Sequence, residues 1–265
     1  MRICMAGACG RMGRRILELA AGADGIEIGG AFDLPELAGT ELHVGHESGN
    51  PQTVVVAEDA ATALAEADVL IDFTLADSCV PNVRAAVEAG KAVVIGTTGL
   101  NDEQKAEVST LAHKAAIVYA PNMSVGVNLL FKLTSQIASV LGLDYNVEVV
   151  EIHHNQKKDS PSGTAVRLGE RAAEALGLDY AKDTVHGREG QVGERPEGEI
   201  GMHAVRGGDV TGDHTVYFLG KGERIELTHR AHSRDTFAQG ALRAARFAAE
   251  AAPGLYDMQD VLGLK

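Results

Sequence analysis

The chain has 265 residues, with 24 Lys+Arg against 37 Asp+Glu and a formal net charge of −13. Phosphate-rich partners would meet a repulsive field, which excludes general nucleic-acid or anionic-membrane binding. Hydrophobic residues make up 45% of the chain, enough for a packed core, and its 31 glycines exceed the usual share of about 7% without any collagen-like period.

Short apolar runs occur at 3–5, 26–32, 54–56, 69–73, 92–95 and 117–119. Ala-rich helical patterns at 11–21, 59–66, 80–89 and 102–114 lie between several of them. Continuous apolar strands joined by helices imply a parallel sheet covered on both faces, so an α/β, Rossmann-like doubly wound domain is expected. Beyond residue 125 the pattern changes. Positions 125–141 read as one helix, 146–153 as a strand and 164–176 as a helix. The stretch 183–201 reads as a long Gly-rich, charged loop. Strand-like segments at 202–206, 214–219 and 224–230 predict a second α+β domain with a mixed or antiparallel sheet, and 237–252 is helical again.

Three cysteines (Cys4, Cys9 and Cys79) stand in no metal-ligand spacing. They suit a reducing cytoplasm better than a disulfide scaffold. No signal-peptide pattern and no apolar stretch of 18 residues is read, which predicts a soluble, cytoplasmic protein without a membrane partner.

Residues 7–13 read Gly7-Ala8-Cys9-Gly10-Arg11-Met12-Gly13, directly after a strand and opening a helix. The spacing differs from the common G-x-G-x-x-G, but the physical requirement is the same. Glycines let the backbone approach a pyrophosphate, and a helix N-terminus offers unpaired N–H donors. Asp33 closes the second strand, where a carboxylate can accept from ribose hydroxyls. Arg2, Arg11, Arg14 and Arg15 against Glu18 make this end locally basic. No cation follows Asp33 directly, since the next residue is Leu34. A ribose 2′-phosphate would want one, so NADH is expected to be preferred over NADPH, with Arg11 or Arg14 as the alternative phosphate partner. Gly96-Thr97-Thr98-Gly99 and Ala120-Pro121-Asn122-Met123 follow later strands, and with Asp72-Phe73-Thr74 they are expected to line the nicotinamide half of the same groove.

The densest polar stretch runs from Glu151 to Ala165, EIHHNQKKDSPSGTA. It starts as a strand, so His153 and His154 should face opposite ways. It ends as a helix start, with Ser162 as N-cap and Gly163 and Thr164 offering N–H groups to a carboxylate. A His–Lys pair suits proton transfer, because histidine titrates near neutral pH. His153, His154 and Asp159 are conceivable metal ligands, but Lys157 and Lys158 oppose a cation, and no metal is expected.

Gly7–Gly13 as GACGRMG, 96–99 as GTTG, 122–128 as NMSVGVN and the 151–165 run together resemble the 4-hydroxy-tetrahydrodipicolinate reductase family, historically dihydrodipicolinate reductase. Segments 187–190, 201–209, 237–241 and 254–258 resemble it too, so the likeness spans nearly the whole chain. It implies reduction of a hydroxylated cyclic imine dicarboxylate to tetrahydrodipicolinate by NADH or NADPH, on the way to diaminopimelate and lysine. Carried over by motif, His153 is the catalytic proton donor and acceptor and Lys157 the proton donor. His154, Gly163 and Thr164 hold the substrate carboxylates. Gly7, Ala8, Cys9, Gly10, Arg11, Met12, Asp33, Gly96, Thr97, Thr98, Ala120, Pro121, Asn122 and Met123 hold the cofactor. Residues 1–124 and 236–265 would form the dinucleotide domain. Residues 125–235 would form the substrate and oligomerisation domain of a homotetramer, with hinges at the junctions and Ser233-Arg234 as a ligand contact or a hinge support. Two other functions fit the layout: a different nicotinamide-dependent dehydrogenase, and a dinucleotide sensor that would have no use for the His153–Lys157 pair.

Overall fold

The computed structural model describes residues 1–265. In chain order the elements are β1 (Arg2–Ala6), α1 (Arg11–Ala21), β2 (Glu27–Phe32), β3 (Glu41–Val44), β4 (Gln52–Val55), α2 (Ala60–Leu64), β5 (Val69–Asp72), α3 (Ala76–Glu88), β6 (Ala92–Ile95), α4 (Asp102–Leu111) and β7 (Ala116–Tyr119). There follow α5 (Val125–Leu141), β8 (Asn146–His153), α6 (Gly163–Leu176), α7 (Tyr180–Asp183), β9 (Thr184–His186), β10 (Ile200–Arg206), β11 (Gly212–Leu219), β12 (Arg224–Ala231), α8 (Asp235–Glu250), β13 (Gly254–Tyr256) and α9 (Met258–Leu262). Two compact units result, Met1–Val125 with Arg234–Lys265, and Gly126–Ser233.

The first unit holds a six-stranded sheet in the order β13-β7-β6-β5-β1-β2, parallel at every pairing. Its central strands β1, β5, β6 and β7 are mainly apolar because both faces are covered. Ile3 and Met5 of β1 enter a core with α1 and α8, whereas Cys4 and Ala6 enter another with α2, α3 and α4. The chain winds outward in one direction from β1 to β2 and in the other from β5 to β7. The switch point therefore lies between β1 and β5, where ligands of such sheets bind at the carboxyl ends.

Segment 54–56 does not join this sheet. Gln52–Val55 pairs antiparallel with Glu41–Val44 as a separate hairpin, and only Val54 of β4 is buried. A strand exposed on alternate residues lacks the two apolar faces that a doubly covered sheet demands. Helix α3 begins four residues before the expected position, with Pro81 inside it. The edge strand β13 and the short α9 were not foreseen.

The second unit has a five-stranded sheet in the order β12-β11-β8-β10-β9. Strands β8, β10 and β9 run parallel, and β11 is antiparallel to β8 and β12. Val147 and Val149 point to one face and pack with Leu130 and Phe131 of α5 and Leu168 of α6. Part of the expected loop at 183–201 is the strand β9. The rest is tied down by Glu148, whose carboxylate accepts from Arg188, Arg195 and His203.

One expectation needs correcting: the segment Val125–Asp144 has the length and mean hydropathy, 1.3, of a membrane span. Its residues Val127, Leu130, Phe131 and Ala138 pack in the sheet core of the second unit, as those of an internal helix do.

Candidate active site

In the first unit the glycine turn is dictated by contact. Gly7 has φ +78°, and a Cβ on it would lie 2.6 Å from the Phe73 carbonyl oxygen. A Cβ on Gly13 would lie 2.1 Å from the Gly7 oxygen, so only glycine lets α1 start this close to β1. Gly10 is the N-cap of α1 and provides no side-chain cap, which leaves first-turn N–H donors for an anion. Asp33 accepts from Cys9 N (2.8 Å) and from Leu34 N (2.8 Å). A cleft of about 790 Å³ is lined by Gly7, Cys9, Gly10, Asp33, Leu34 and Thr74, among others. Its glycine floor, free helix end and carboxylate fit a dinucleotide.

The remaining candidates fall into two groups. Gly96, Thr97 and Thr98 follow the carboxyl end of β6, and Ala120, Pro121, Asn122 and Met123 follow that of β7. Ala8, Thr97, Ala120 and Met123 are buried, so they offer a ligand backbone groups at most. Thr97 is already committed, because its hydroxyl donates to the buried carboxylate of Asp72 at 2.6 Å and accepts from Thr74 N at 2.8 Å. Asp72 also accepts from the Thr74 hydroxyl and from Asn82, and so clasps the loops after β5 and β6 together. Arg14 reaches the Cys9 carbonyl, and Arg15 is bound to Asp235 and Glu47. Arg11 remains exposed.

In the second unit β8 delivers His153 at its last position. His153 Nδ1 bonds Glu151 Oε2 at 2.6 Å. Glu151 has no exposed surface. It accepts both arms of Arg206, at 2.7 and 2.8 Å, and Ser162 N at 3.0 Å. Burial would raise its pKa, but Arg206, His153 and Ser162 N–H together hold it below the usual carboxylate range. Burial pushes His153 down, Glu151 opposes this, and Lys157 and Arg206 add to it. The histidine is thus held neutral at physiological pH.

Ser162 is the N-cap of α6, its hydroxyl accepting from Ala165 N. A Cβ added at Gly163 would meet nothing within 4 Å, so the first turn is open beside Gly163. Lys157 bonds both oxygens of Asp159 at 2.9 Å, and Asp159 is lowered chiefly by that contact. His154 lies just past the strand end, its N–H bonded to the Val210 carbonyl. One unit therefore combines a neutral buried histidine, an ammonium group and a capped helix start. Such a set can hold a carboxylate and move a proton. No group of three or more His, Cys, Asp or Glu side chains forms a metal site.

Sequence reading assigned no role to Glu151, Arg206 or His214. A signal for Glu151 was present, since residues two apart on a strand share a face. Arg206 and His214 come from β10 and β11, and only strand pairing brings them here.

Comparison with known proteins agrees with this layout. Residues 1–123 match the family model described as dihydrodipicolinate reductase, N-terminus, and residues 126–262 match the one for its C-terminus. The chain is 53% identical over 266 residues to 4-hydroxy-tetrahydrodipicolinate reductase of Anaeromyxobacter sp. (strain Fw109-5), covering 100% of this chain and 98% of that one. It is 51% identical to that of Syntrophotalea carbinolica, covering 100% of both. A solved structure of dipicolinate-bound dihydrodipicolinate reductase from Paenisporosarcina sp. TG-14 shares the fold, with a TM-score of 0.77 at 24% identity over 97% of each chain. With both halves matched in order and relatives half identical along its full length, this chain belongs to the dihydrodipicolinate reductase family.

Proposed function

We infer that the chain reduces 4-hydroxy-tetrahydrodipicolinate to tetrahydrodipicolinate with a nicotinamide dinucleotide, in the diaminopimelate route to lysine. The observation that carries this reading is the short run from β8 to α6. It holds a buried His153, Lys157 and the helix start at Ser162–Thr164 in one unit, while the other unit has a glycine turn suited to a dinucleotide. Relatives of that name, about half identical over their full length, support it. The test is oxidation of the reduced dinucleotide with the condensation product of pyruvate and aspartate semialdehyde, made in situ by the upstream synthase. No oxidation above background would sink the assignment, and binding without turnover would favour a sensor.

The residues then take the following roles. Gly7, Cys9, Gly10, Arg11 and Asp33 hold the adenosine and pyrophosphate, and Gly96–Thr98 with Ala120–Met123 hold the nicotinamide end. The bound dinucleotide supplies the hydride, and the protein supplies position. Gly163 and Thr164 N–H groups and His154 take the substrate carboxylates at the helix start. His153 exchanges a proton with the substrate through the ring nitrogen not engaged by Glu151. Lys157, held beside it by Asp159, donates the proton that completes reduction.

Leu34 supports NADH as the preferred reductant, because it is half exposed in the cleft where a 2′-phosphate would need a cation. The outer face of the second sheet carries half-exposed Val150 and Ile152 and exposed Val205, and no helix of that unit covers it. Such a face supports pairing between copies and a homotetramer, which light scattering can check. The free cysteines support a reducing compartment, the cytoplasm.

A further inference from the structure

Glu151 is more elaborately bonded than charge neutralisation requires. Arg206 alone, forked onto both carboxylate oxygens, would neutralise it. Yet each oxygen accepts a second bond. Oε2 takes His153 Nδ1 at 2.6 Å and Oε1 takes Ser162 N at 3.0 Å. The ring of His153 and the N-cap of α6 are thereby fastened to a single buried carboxylate. Arg206 fixes the segment between them as well, donating to the Asp159 carbonyl at 2.8 Å.

Two further contacts constrain the ring. His214 of β11 stands edge-on to it, with centroids 5.1 Å apart and planes at 74°. Its Nε2 bonds Ser162 Oγ at 3.0 Å, while its Nδ1 is buried with no partner. Behind the ring, a Cβ at Gly212 would come within 3.0 Å of His153 Nε2, so glycine there keeps that nitrogen clear.

We propose that Glu151 is the positioning residue of this site, holding His153 with Nδ1–H on the carboxylate and Nε2 free for the substrate, and keeping that ring in register with the carboxylate-binding start of α6. The inference rests on the catalytic role given to His153 above. In the neutral ring the proton resides on Nδ1 and the lone pair on Nε2. Proton uptake at Nε2 then gives an imidazolium paired with Glu151, and proton loss from Nε2 restores the neutral ring. Orientation of a base by a third group is the arrangement that proton-transferring histidines require. The charged and titratable groups acting on His153 are Glu151 from its own strand, Lys157 from the following loop, Arg206 from β10 and His214 from β11. Of these, Glu151 bonds the ring directly, and His214 is neutral.

The test has an arm that needs no variant. In the unaltered protein, nitrogen NMR of labelled histidine should show His153 as the Nδ1–H tautomer, and an Nε2–H tautomer overturns the proposal. The second arm is Glu151→Gln, with Glu151→Asp as the conservative control. In Glu151→Gln, kcat should fall by about 10- to 100-fold. The His153 titration should move to lower pH, because the anion that favours imidazolium is gone. The dissociation constant for the dinucleotide should stay unchanged, and Glu151→Asp should recover part of the loss. A drop in melting temperature with the His153 titration unmoved marks a purely structural residue and overturns the proposal alone. A moved titration with unchanged kcat overturns the proposal together with the catalytic role of His153. If Glu151→Gln does not fold, the tautomer in the unaltered protein decides.

Discussion

Asp33 Oδ2 accepts the backbone N–H of Cys9 at 2.8 Å, so the acid that closes β2 is fastened to the turn that follows β1. Its other oxygen accepts from Leu34 N. The carboxylate is therefore fixed at the floor of the cleft, with a leucine beside it. A ribose hydroxyl can donate to that carboxylate, whereas a 2′-phosphate would be repelled with no adjacent cation to offset the charge. We expect Leu34→Arg to raise kcat/KM for NADPH relative to NADH by about 10-fold or more, the scale of one charge-assisted hydrogen bond. Steady-state kinetics with both dinucleotides measure it. If the unaltered enzyme already prefers NADPH, Leu34 does not set the choice, and Arg11 becomes the residue to substitute.

Gly13 is the glycine that packing most plainly requires. A methyl group there would sit 2.1 Å from the Gly7 oxygen and 2.8 Å from Ala8 Cα, both backbone atoms. Neither can move without displacing β1 or α1. Gly13→Ala should cost about 1–3 kcal/mol, the usual range for overpacking, and should weaken dinucleotide binding because the turn shifts with the helix. Thermal melts and dinucleotide titration read the two effects. A stable, tightly binding variant would show that the helix start relaxes freely.

His153→Ala and Lys157→Ala should each lower kcat by about 10²-fold or more, the scale of lost acid–base catalysis. Dinucleotide affinity should hold, since both residues lie in the second unit. Lys157 is bonded only to Asp159 among side chains, and Asp159 is largely exposed. Asp159→Asn should therefore be milder than either. Near-normal turnover in both alanine variants would remove these two residues from the mechanism.

Much of this architecture could be read from residue order. Buried strands such as β1 and β5 carry unbroken apolar runs, residues 3–6 and 69–71, and the Ser162 cap of α6 is a local hydrogen bond between residues three apart. Local chemistry of that kind leaves a mark in the sequence. The Gln52–Val55 strand misled because a short apolar run does not reveal how many of its faces are covered. Glu151, Arg206 and His214 belong to three different strands, and their meeting depends on the β10-β8-β11 order. Glu148 escaped notice for the same reason, since its partners lie 40 to 55 residues away.

That distant clustering has a consequence in acid. Burial would raise Glu148, but Arg188, His203 and Arg195 overcome it and hold its pKa down at about 2, against about 4.3 for an unfolded glutamate. Its contribution to stability is complete above about pH 4.3 and is lost as pH falls towards 2. His214 acts earlier. Burial first, then His153, hold it at about 3, against about 6.5 when unfolded. Between those values the unfolded chain binds a proton that the folded chain refuses, so stability falls as pH drops from about 6.5 towards 3. His153, also depressed by burial, adds a slope of the same sign. One such group changes unfolding free energy by up to about 1.4 kcal/mol per pH unit. Urea unfolding at constant ionic strength should therefore show stability declining already from pH 6.5 to 4.5, before glutamates titrate. In His214→Gln, which keeps a hydrogen-bonding partner for Ser162 but has no titrating ring, that slope should shrink by about 1 kcal/mol per pH unit. An undiminished slope would mean that His214 is protonated in the folded chain and that Ser162 must be its hydrogen-bond acceptor.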